Sequence, residues 1–333
     1  MSTSKGQGRF LVAGGASLIG SHIADRLLAD GAKEVRLFDN FSLGTTSMID
    51  HLHADARVTL IRGDVLRLNE LLDAARGIDG VFAIAGFLTL PMAKDPTLGV
   101  SVNTLGMVNI LEACRFSGVR RIVFSSSVAT YGNPVKHPVT EDAAYVAAGL
   151  QPASLLYGAS KLLGEALCAQ YWKAHEVEFN VLRFSSVYGE RQHSRALNAV
   201  FVAEVCDQVR RGQAPVISGD GSEVHDYVYV TDVARACTLA MLGPSHGHIM
   251  NIATGIDTTS TRIAEIVLQL CGRGDLKPDY REDRRAVRPA AGSLLGFSRD
   301  KAAREIGWEP KVGVEEGIGR LLDWQRSQEP GIP

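Results

Sequence analysis

Cysteine is sparse and unpatterned in this sequence. Five occur in 333 residues (Cys114, Cys168, Cys206, Cys237 and Cys271), widely spaced and with no C-x-x-C pair. An odd, scattered set excludes a disulfide framework and a thiolate zinc site, and suits buried apolar filler in a reducing compartment. Long hydrophobic runs are also missing. The nearest approach, Val81 to Met92, contains Gly86 and Pro91 and falls short of the roughly 18 apolar residues that span a bilayer. Met1 to Arg9 is polar and leads into only a short apolar stretch, so neither export nor membrane insertion is expected, and a cytoplasmic location is. No charge dominates: 35 Lys plus Arg stand against 37 Asp plus Glu, a net −2, leaving no field to gather nucleic acid or anionic lipid. Proline is scarce, 12 against 34 glycines, which points to tight turns between regular elements.

What is present is a regular alternation. Arg9–Ala13, Glu34–Phe38, Val58–Ile61, Gly80–Ile84 and Arg121–Phe124 are short and nearly continuously apolar, as central parallel strands are. Between them Ile19–Ala29, Asn69–Ala75 and Thr104–Phe116 repeat apolar residues at helical spacing. The expected fold is α/β, a Rossmann-type doubly wound parallel sheet. Tyr157–His175 follows as a long helix and Glu178–Phe184 as a strand, after which the alternation weakens. The expected division is a nucleotide-binding domain over 1–185, to which segments near 225–253 return. A smaller, discontinuous substrate-binding lobe covers 186–327, over the carboxyl ends of the strands, where open α/β sheets bind ligands. A helix at Val314–Trp324 closes that lobe, and Trp308 and Trp324 are packing anchors.

Directly after the first strand comes Gly14-Gly15-Ala16-Ser17-Leu18-Ile19-Gly20, a strand-turn-helix context that fits a dinucleotide turn. Gly14 permits the turn, Gly20 lets the helix pack on the strand, and the main chain of Ser17, Leu18 and Ile19 at the helix N-terminus meets a pyrophosphate. Ser17 stands where the pattern has its middle glycine. Asp39, nineteen residues past Gly20 and followed by Asn40, is placed to accept hydrogen bonds from ribose hydroxyls and to repel a 2′-phosphate, which favours NAD over NADP. Asp39-Asn40 is also an ordinary turn pair. Asp64, with Val65 beside it, is a candidate for the adenine end or a plain helix N-cap.

Tyr157 and Lys161 stand four apart in YGASK, on one face of a helix. Oxidising an alcohol requires a base, and a phenol of pKa ~10 needs a nearby cation to serve; Lys161 and a positively charged nicotinamide can supply it. Ser127, ending Ser125-Ser126-Ser127, can hold the reacting oxygen. A glycine turn, an acid after the second strand, a serine after the fifth, then Tyr and Lys is a serial order that chance seldom produces. His246-x-His248 lacks a third ligand nearby, so no metal is expected.

On these residues, with FDNFSLG, VNTLGMVNILEA, FSSSVATYG, LRFSSVYGERQ, GDGSEVHDYVYVTDVA and IGWEP, the sequence resembles the extended short-chain dehydrogenase/reductase family, from about Phe10 to Pro310. Within it the resemblance is to nucleotide-sugar epimerases of the UDP-galactose 4-epimerase type. The resemblance implies bound NAD and catalytic Ser127, Tyr157 and Lys161. It also implies an Asn103 that supports the active-site helix beside the cofactor, and a sugar-nucleotide held by Ser126, Ser186, Arg191, His225 and Arg288. A homodimer joined by a four-helix bundle of Thr104–Phe116 and Tyr157–His175 follows from it too. Ser186 and His225 replace an Asn and an Arg of the family pattern. Val128 and Ala129 replace the acids of related dehydratases and decarboxylases, which leaves those reactions without a catalyst. The expected activity is epimerisation, at C4, through a transient ketone; a net dehydrogenase or ketoreductase on a substrate without a diphosphate, or a non-catalytic NAD sensor, are the alternatives. For Arg191 and the charge run Arg281–Arg288, a solvated loop stays open beside ligand binding.

Overall fold

A computed structural model describes residues 7–192, 200–282 and 296–328. The first half runs β1 (Arg9–Ala13), α1 (Leu18–Ala29), β2 (Glu34–Asp39), β3 (Val58–Arg62), α2 (Leu68–Ala75), β4 (Gly80–Ala83), α3 (Thr89–Lys94), α4 (Pro96–Ser101), α5 (Met107–Ser117), β5 (Arg121–Ser127), α6 (Pro152–His175) and β6 (Glu178–Phe184). The second half runs β7 (Ser186–Tyr188), α7 (Val200–Arg210), β8 (Val216–Ser218), β9 (Val224–Tyr229), α8 (Val230–Leu242), β10 (His248–Ile252), β11 (Asp257–Thr259), α9 (Ser260–Leu270), β12 (Asp279–Arg281), α10 (Asp300–Ile306) and α11 (Val314–Ser327).

Seven strands form one parallel sheet in the order β10-β6-β5-β4-β1-β2-β3. The chain winds outward from β1 in one direction and from β4 in the other, so the switch point lies between them, the crevice where such sheets bind ligands. Alternate residues of β1 feed opposite faces: Phe10 and Val12 pack with α1 and α8, Leu11 and Ala13 with α2, α5 and α6. Both faces are therefore buried, which accounts for strands that are apolar at nearly every position. A three-stranded sheet, β11-β9-β7, carries Tyr188, Tyr227 and Tyr229 into a separate cluster with α7, α9 and α11. Of the stretch 225–253, β9 lies in this smaller sheet, while α8 and β10 return to the large one.

Two helices start earlier than their apolar periodicity indicates. α6 begins at Pro152, proline at its first turn, where a missing N–H costs nothing, so Tyr157 sits in the second turn instead of opening the helix. The run expected from Thr104 begins at Pro96, capped by Asp95 Oδ1 accepting from Leu98 N at 2.9 Å. It continues through a π-helical turn, Val102–Gly106, into α5. Gly106 there packs so closely that a Cβ would lie 2.8 Å from Val65 Cγ2. The C-terminal segment is tied down by one side chain. Asp232 Oδ2 accepts from the N–H groups of Lys311 and Val312, and its carbonyl from the Trp308 indole at 2.8 Å. Trp308 is fully buried and Trp324 packs at the edge of the small-lobe cluster. Four of the five cysteines are buried and Cys271 is half-buried. Among the described residues no helix is long and apolar enough to cross a membrane.

Candidate active site

A groove opens at the switch point. Gly14, Ser17, Leu18 and Ile19 form one wall, Asp39, Asn40 and Val65 one end, and Gly86, Phe87 and Leu88 the other. Gly14 has φ +88°, and a Cβ there would lie 2.6 Å from Ala85 N, so the turn needs glycine in both conformation and space. At Gly20 a Cβ would lie 2.2 Å from Gly14 O, which is the close helix-strand packing expected of it. Ser17 is the N-cap of α1: its hydroxyl donates to Gly14 O at 2.6 Å and accepts from Gly20 N at 3.1 Å. The serine thus closes the turn on itself. Leu18 and Ile19, first in the helix, line the groove, and N–H groups of a first helical turn have no partner within the helix.

Asp39 ends β2 with one carboxylate oxygen accepting from Ala16 N at 3.0 Å and the other from Phe41 N at 2.8 Å. Burial nevertheless raises its pKa. The carboxylate couples the glycine turn to the strand end and borders the groove. Asn40 donates to Asp64 Oδ2 at 3.3 Å. Asp64 is not the helix N-cap, which is Arg67; it closes a short turn by accepting from Leu66 N at 2.9 Å. These residues fit a dinucleotide: helix-end donors for a pyrophosphate, an acid and an amide for a ribose, and apolar walls for the rings.

Next to Gly86 of the groove, where an added Cβ would lie 3.3 Å from Lys161 Nζ, stand the proton-handling groups. Ser127 ends β5, and its hydroxyl accepts from Ala129 N at 3.2 Å and faces the Tyr157 phenol, holding its pKa down. Burial is the larger effect and pushes that phenol up to about 12. Lys161 is buried too; its Nζ donates to Ser125 O at 2.8 Å and lies 5.9 Å from the Tyr157 ring centroid. Burial lowers it to about 8, opposed by the charge of Glu165 one turn onward. The activation expected of Lys161 is therefore outweighed by desolvation of both groups in the protein alone, and lowering the phenol falls to a further cation in the groove.

Asn103 is fully engaged: its Oδ1 accepts from Phe87 N at 2.7 Å, and its Nδ2 donates to Phe87 O and to Ser160 Oγ, each at 3.0 Å. It ties the groove wall to α6, and both of its N–H donors are used in doing so. Ser126 is corrected outright. Alternation along β5 turns it away from Ser127, and its hydroxyl donates to Glu165 Oε1 at 2.6 Å inside the core. There Glu165 pairs with Arg183 (Nη2 to Oε2, 2.7 Å), whose guanidinium lies over Tyr131. Sequence reading missed both, although a charge four residues past Lys161 and an Arg inside EFNVLRF were visible signals.

Arg191 is engaged within the protein. It has φ +66° and reaches α1, pairing with Asp25 at 2.5 Å and standing 2.9 Å from His51 Nε2, so its guanidinium holds the loop after β7 against α1. Arg288 lies outside the described residues. Arg281, at the head of the charge run, pairs with Asp279 at 2.7 Å. Ser186 and His225, by contrast, are brought together. Parallel pairing of β7 with β9 sets Ser186 Oγ 3.3 Å from His225 Nδ1, and His225 Nε2 is 2.5 Å from Glu223 Oε1. Glu223 was not foreseen, though i and i+2 share one face of a strand.

Residues 10–253 match the model of the NAD dependent epimerase/dehydratase family. A putative UDP-glucose 4-epimerase of Methanocaldococcus jannaschii is 32% identical over 323 residues, 95% of this chain and 98% of that one. The crystal structure of a UDP-glucose 4-epimerase from Thermotoga maritima with UDP-glucose superposes with a TM-score of 0.84 at 29% identity, over 96% of this chain and 99% of that one. One from Thermus thermophilus in complex with NAD gives 0.81 at 30% identity, over 96% and 100%. The glycine turn, Asp39 and the Ser127, Tyr157 and Lys161 set thus stand on a chain matched over nearly its whole length, and this protein belongs to the NAD dependent epimerase/dehydratase family.

Proposed function

We propose that the protein is a NAD-dependent epimerase of a nucleotide-activated sugar, acting at C4. The observation that carries this is the meeting of Ser127 and Tyr157 beside Lys161, whose Nζ would lie 3.3 Å from a Cβ on Gly86 of the groove that Asp39 also lines. Bound in the groove, NAD would supply a reversible hydride acceptor. The chain's own residues handle the proton. Tyr157 takes it from the sugar hydroxyl and gives it back, Ser127 keeps the reacting oxygen beside the phenol, and Lys161 holds positive charge next to both. Leu18 and Ile19 hold the pyrophosphate and Asp39 the ribose. Val128 and Ala129 follow Ser127 directly. Neither offers the acid that elimination or decarboxylation chemistry requires, which favours epimerisation.

The test is incubation of the purified protein with UDP-, dTDP- and GDP-sugars, reading epimer ratios by chromatography and nicotinamide absorbance together. Epimers should form with no accumulation of reduced cofactor, and deuterium at C4 should be retained in the product. Label lost to solvent would exclude hydride return, and stoichiometric reduced cofactor would make the protein a net dehydrogenase.

A homodimer and a cytoplasmic location belong to the same reading. Leu98, Leu105 and Phe116 on the α4–α5 run, with Leu156 and Leu163 on α6, are exposed large apolar side chains. Pairing these two helices with their copies would bury them in a four-helix bundle. Sedimentation should show a dimer that Leu105→Glu with Leu163→Glu converts to monomer; an unchanged dimer would place the interface elsewhere.

A further inference from the structure

Glu190 and Arg191, side by side after β7, both reach across to α1, and the proton transfer at Tyr157 uses neither. The turn that aims them is tight: a Cβ on Gly189 would lie 2.4 Å from Val230 Cγ1, and Arg191 has φ +66°. Arg191 takes Asp25 of α1. Glu190 meets His22, one turn earlier on the same face, with its Oε2 3.8 Å from His22 Nε2. The meeting place is enclosed. The side chains of His22 and Glu190 are 6% and 23% exposed, and Tyr229, which ends β9 and also faces Glu190, is fully buried.

Among the described residues, Glu190 Oε2 and the Tyr229 hydroxyl are buried atoms without a hydrogen-bond partner, a costly condition for polar groups. His22 adds a third. Its Nδ1 lies 2.8 Å from Leu18 O; a carbonyl only accepts, so Nδ1 carries the proton. Burial lowers the pKa of this imidazole, which leaves Nε2 a bare acceptor. Glu190 is a second acceptor: burial works to raise its carboxyl, but the contacts with His22 and then Tyr229 outweigh it and hold the group down to about 2. Two acceptors 3.8 Å apart cannot bond each other, whereas the phenol has an O–H to give. No group of three His, Cys, Asp or Glu among the described residues could hold a metal ion. One water molecule satisfies all three atoms: its hydrogens go to His22 Nε2 and Glu190 Oε2, and its oxygen accepts from Tyr229.

We propose that Glu190 is a positioning residue for the dinucleotide, acting through one water molecule bound between Glu190, His22 and Tyr229. The connection reaches the cofactor groove in two steps. The water holds His22, and His22 holds the carbonyl of Leu18, which lines the groove from the first turn of α1. On its other side the water rests on Tyr229, whose ring centroid is 5.4 Å from that of Tyr188 and 5.7 Å from the Arg320 guanidinium of α11. The nucleotide helix is thereby held to the small sheet from its start, with the Arg191–Asp25 pair as a second tie one turn onward. This goes beyond the epimerase reading and rests only on the dinucleotide site.

The experiment measures how fast the purified, NAD-loaded protein releases NAD after rapid buffer exchange, with thermal unfolding alongside. Glu190→Ala should release NAD about tenfold faster than wild type, the scale of one lost hydrogen bond to a charged group. Glu190→Gln keeps a hydrogen-bonding amide in the same place and should stay within about twofold. Tyr229→Phe removes only the phenol's donor and should release NAD about threefold faster, a test that remains if the alanine variant does not fold. Val267→Ala, in the small-lobe core, lowers stability without touching the water and should leave release unchanged. A crystal structure of the wild type should show a water within about 3.2 Å of all three atoms. Release from the Glu190→Ala or Tyr229→Phe protein at the wild-type rate, a glutamine variant as fast as the alanine one, a Val267→Ala protein as fast as either, or no water at that point would each overturn the proposal. Failure to epimerise any sugar would sink the epimerase reading and leave this one standing, since NAD release is read without turnover.

Discussion

Tyr157→Phe is expected to lower kcat by about 10²- to 10⁴-fold, the range contributed by a positioned acid-base group. The substitution removes one oxygen from a ring that is buried in the groove wall, so the stability and the bound cofactor content should match wild type. Because burial pushes the phenol up to about 12, its deprotonated form is scarce at neutral pH. The wild-type rate should therefore rise with pH on the acid side, and a cation in the groove should move that rise to lower pH. Phenylalanine leaves no group to titrate, and the residual rate should lose this dependence. The measurements are kcat against pH and cofactor absorbance of the purified variant. A variant within threefold of wild type would remove Tyr157 from the chemistry and with it the proposed mechanism.

Glu165→Gln should cost about 3–5 kcal/mol of stability, the range for removing one partner of a buried ion pair. Glu165 and Arg183 have side chains 4% and 7% exposed. Glutamine keeps a hydrogen-bond acceptor for Ser126 but leaves the guanidinium without a counter-charge. Urea unfolding measures the loss, and the double variant Glu165→Gln with Arg183→Met should recover much of it, since no charge is then stranded. A loss under 1 kcal/mol would mean that water or another carboxylate serves Arg183. The same change acts on the active site. Glu165 is the charge that opposes desolvation at Lys161, so without it the ammonium loses its proton below its present value of about 8. The alkaline fall in kcat should shift to lower pH, an effect a purely structural loss would not produce.

The elements built on a single strong periodicity were legible in the sequence. β1 and β4 carry apolar residues at nearly every position because helices cover both faces of their sheet, and α1 follows a turn whose glycines have no alternative. The site residues that lie on this frame, Asp39, Ser127, Tyr157 and Lys161, could be placed by order along the chain. What stayed hidden depends on contacts between distant segments. Arg191 looks like a phosphate ligand until the fold brings Asp25 of α1 and His51 of the segment after β2 against it. Ser126 looks equivalent to Ser127 until the pleat of β5 turns it to the core. Asn103 reads as a cofactor contact, and its two N–H donors go to Phe87 and Ser160, both far from it in sequence. The short strands β7 and β11, three residues each, have too little length to show a period, so the pairing that joins Ser186 to His225 left no local trace.

The passage from the large sheet to the small one occupies a single residue. Ser185 links β6 to β7, with its N–H donating to Ile252 O and its hydroxyl to Asp226, and Asp226 in turn receives two further N–H groups. Such a join has no slack. One extra residue inserted there would rotate every later position of the strand to the opposite side, moving Ser186 away from the imidazole and Tyr188 out of its aromatic cluster. The distance from the strand beside Ser127 to the Ser186–His225 pair is therefore set by a fixed length of covalent chain.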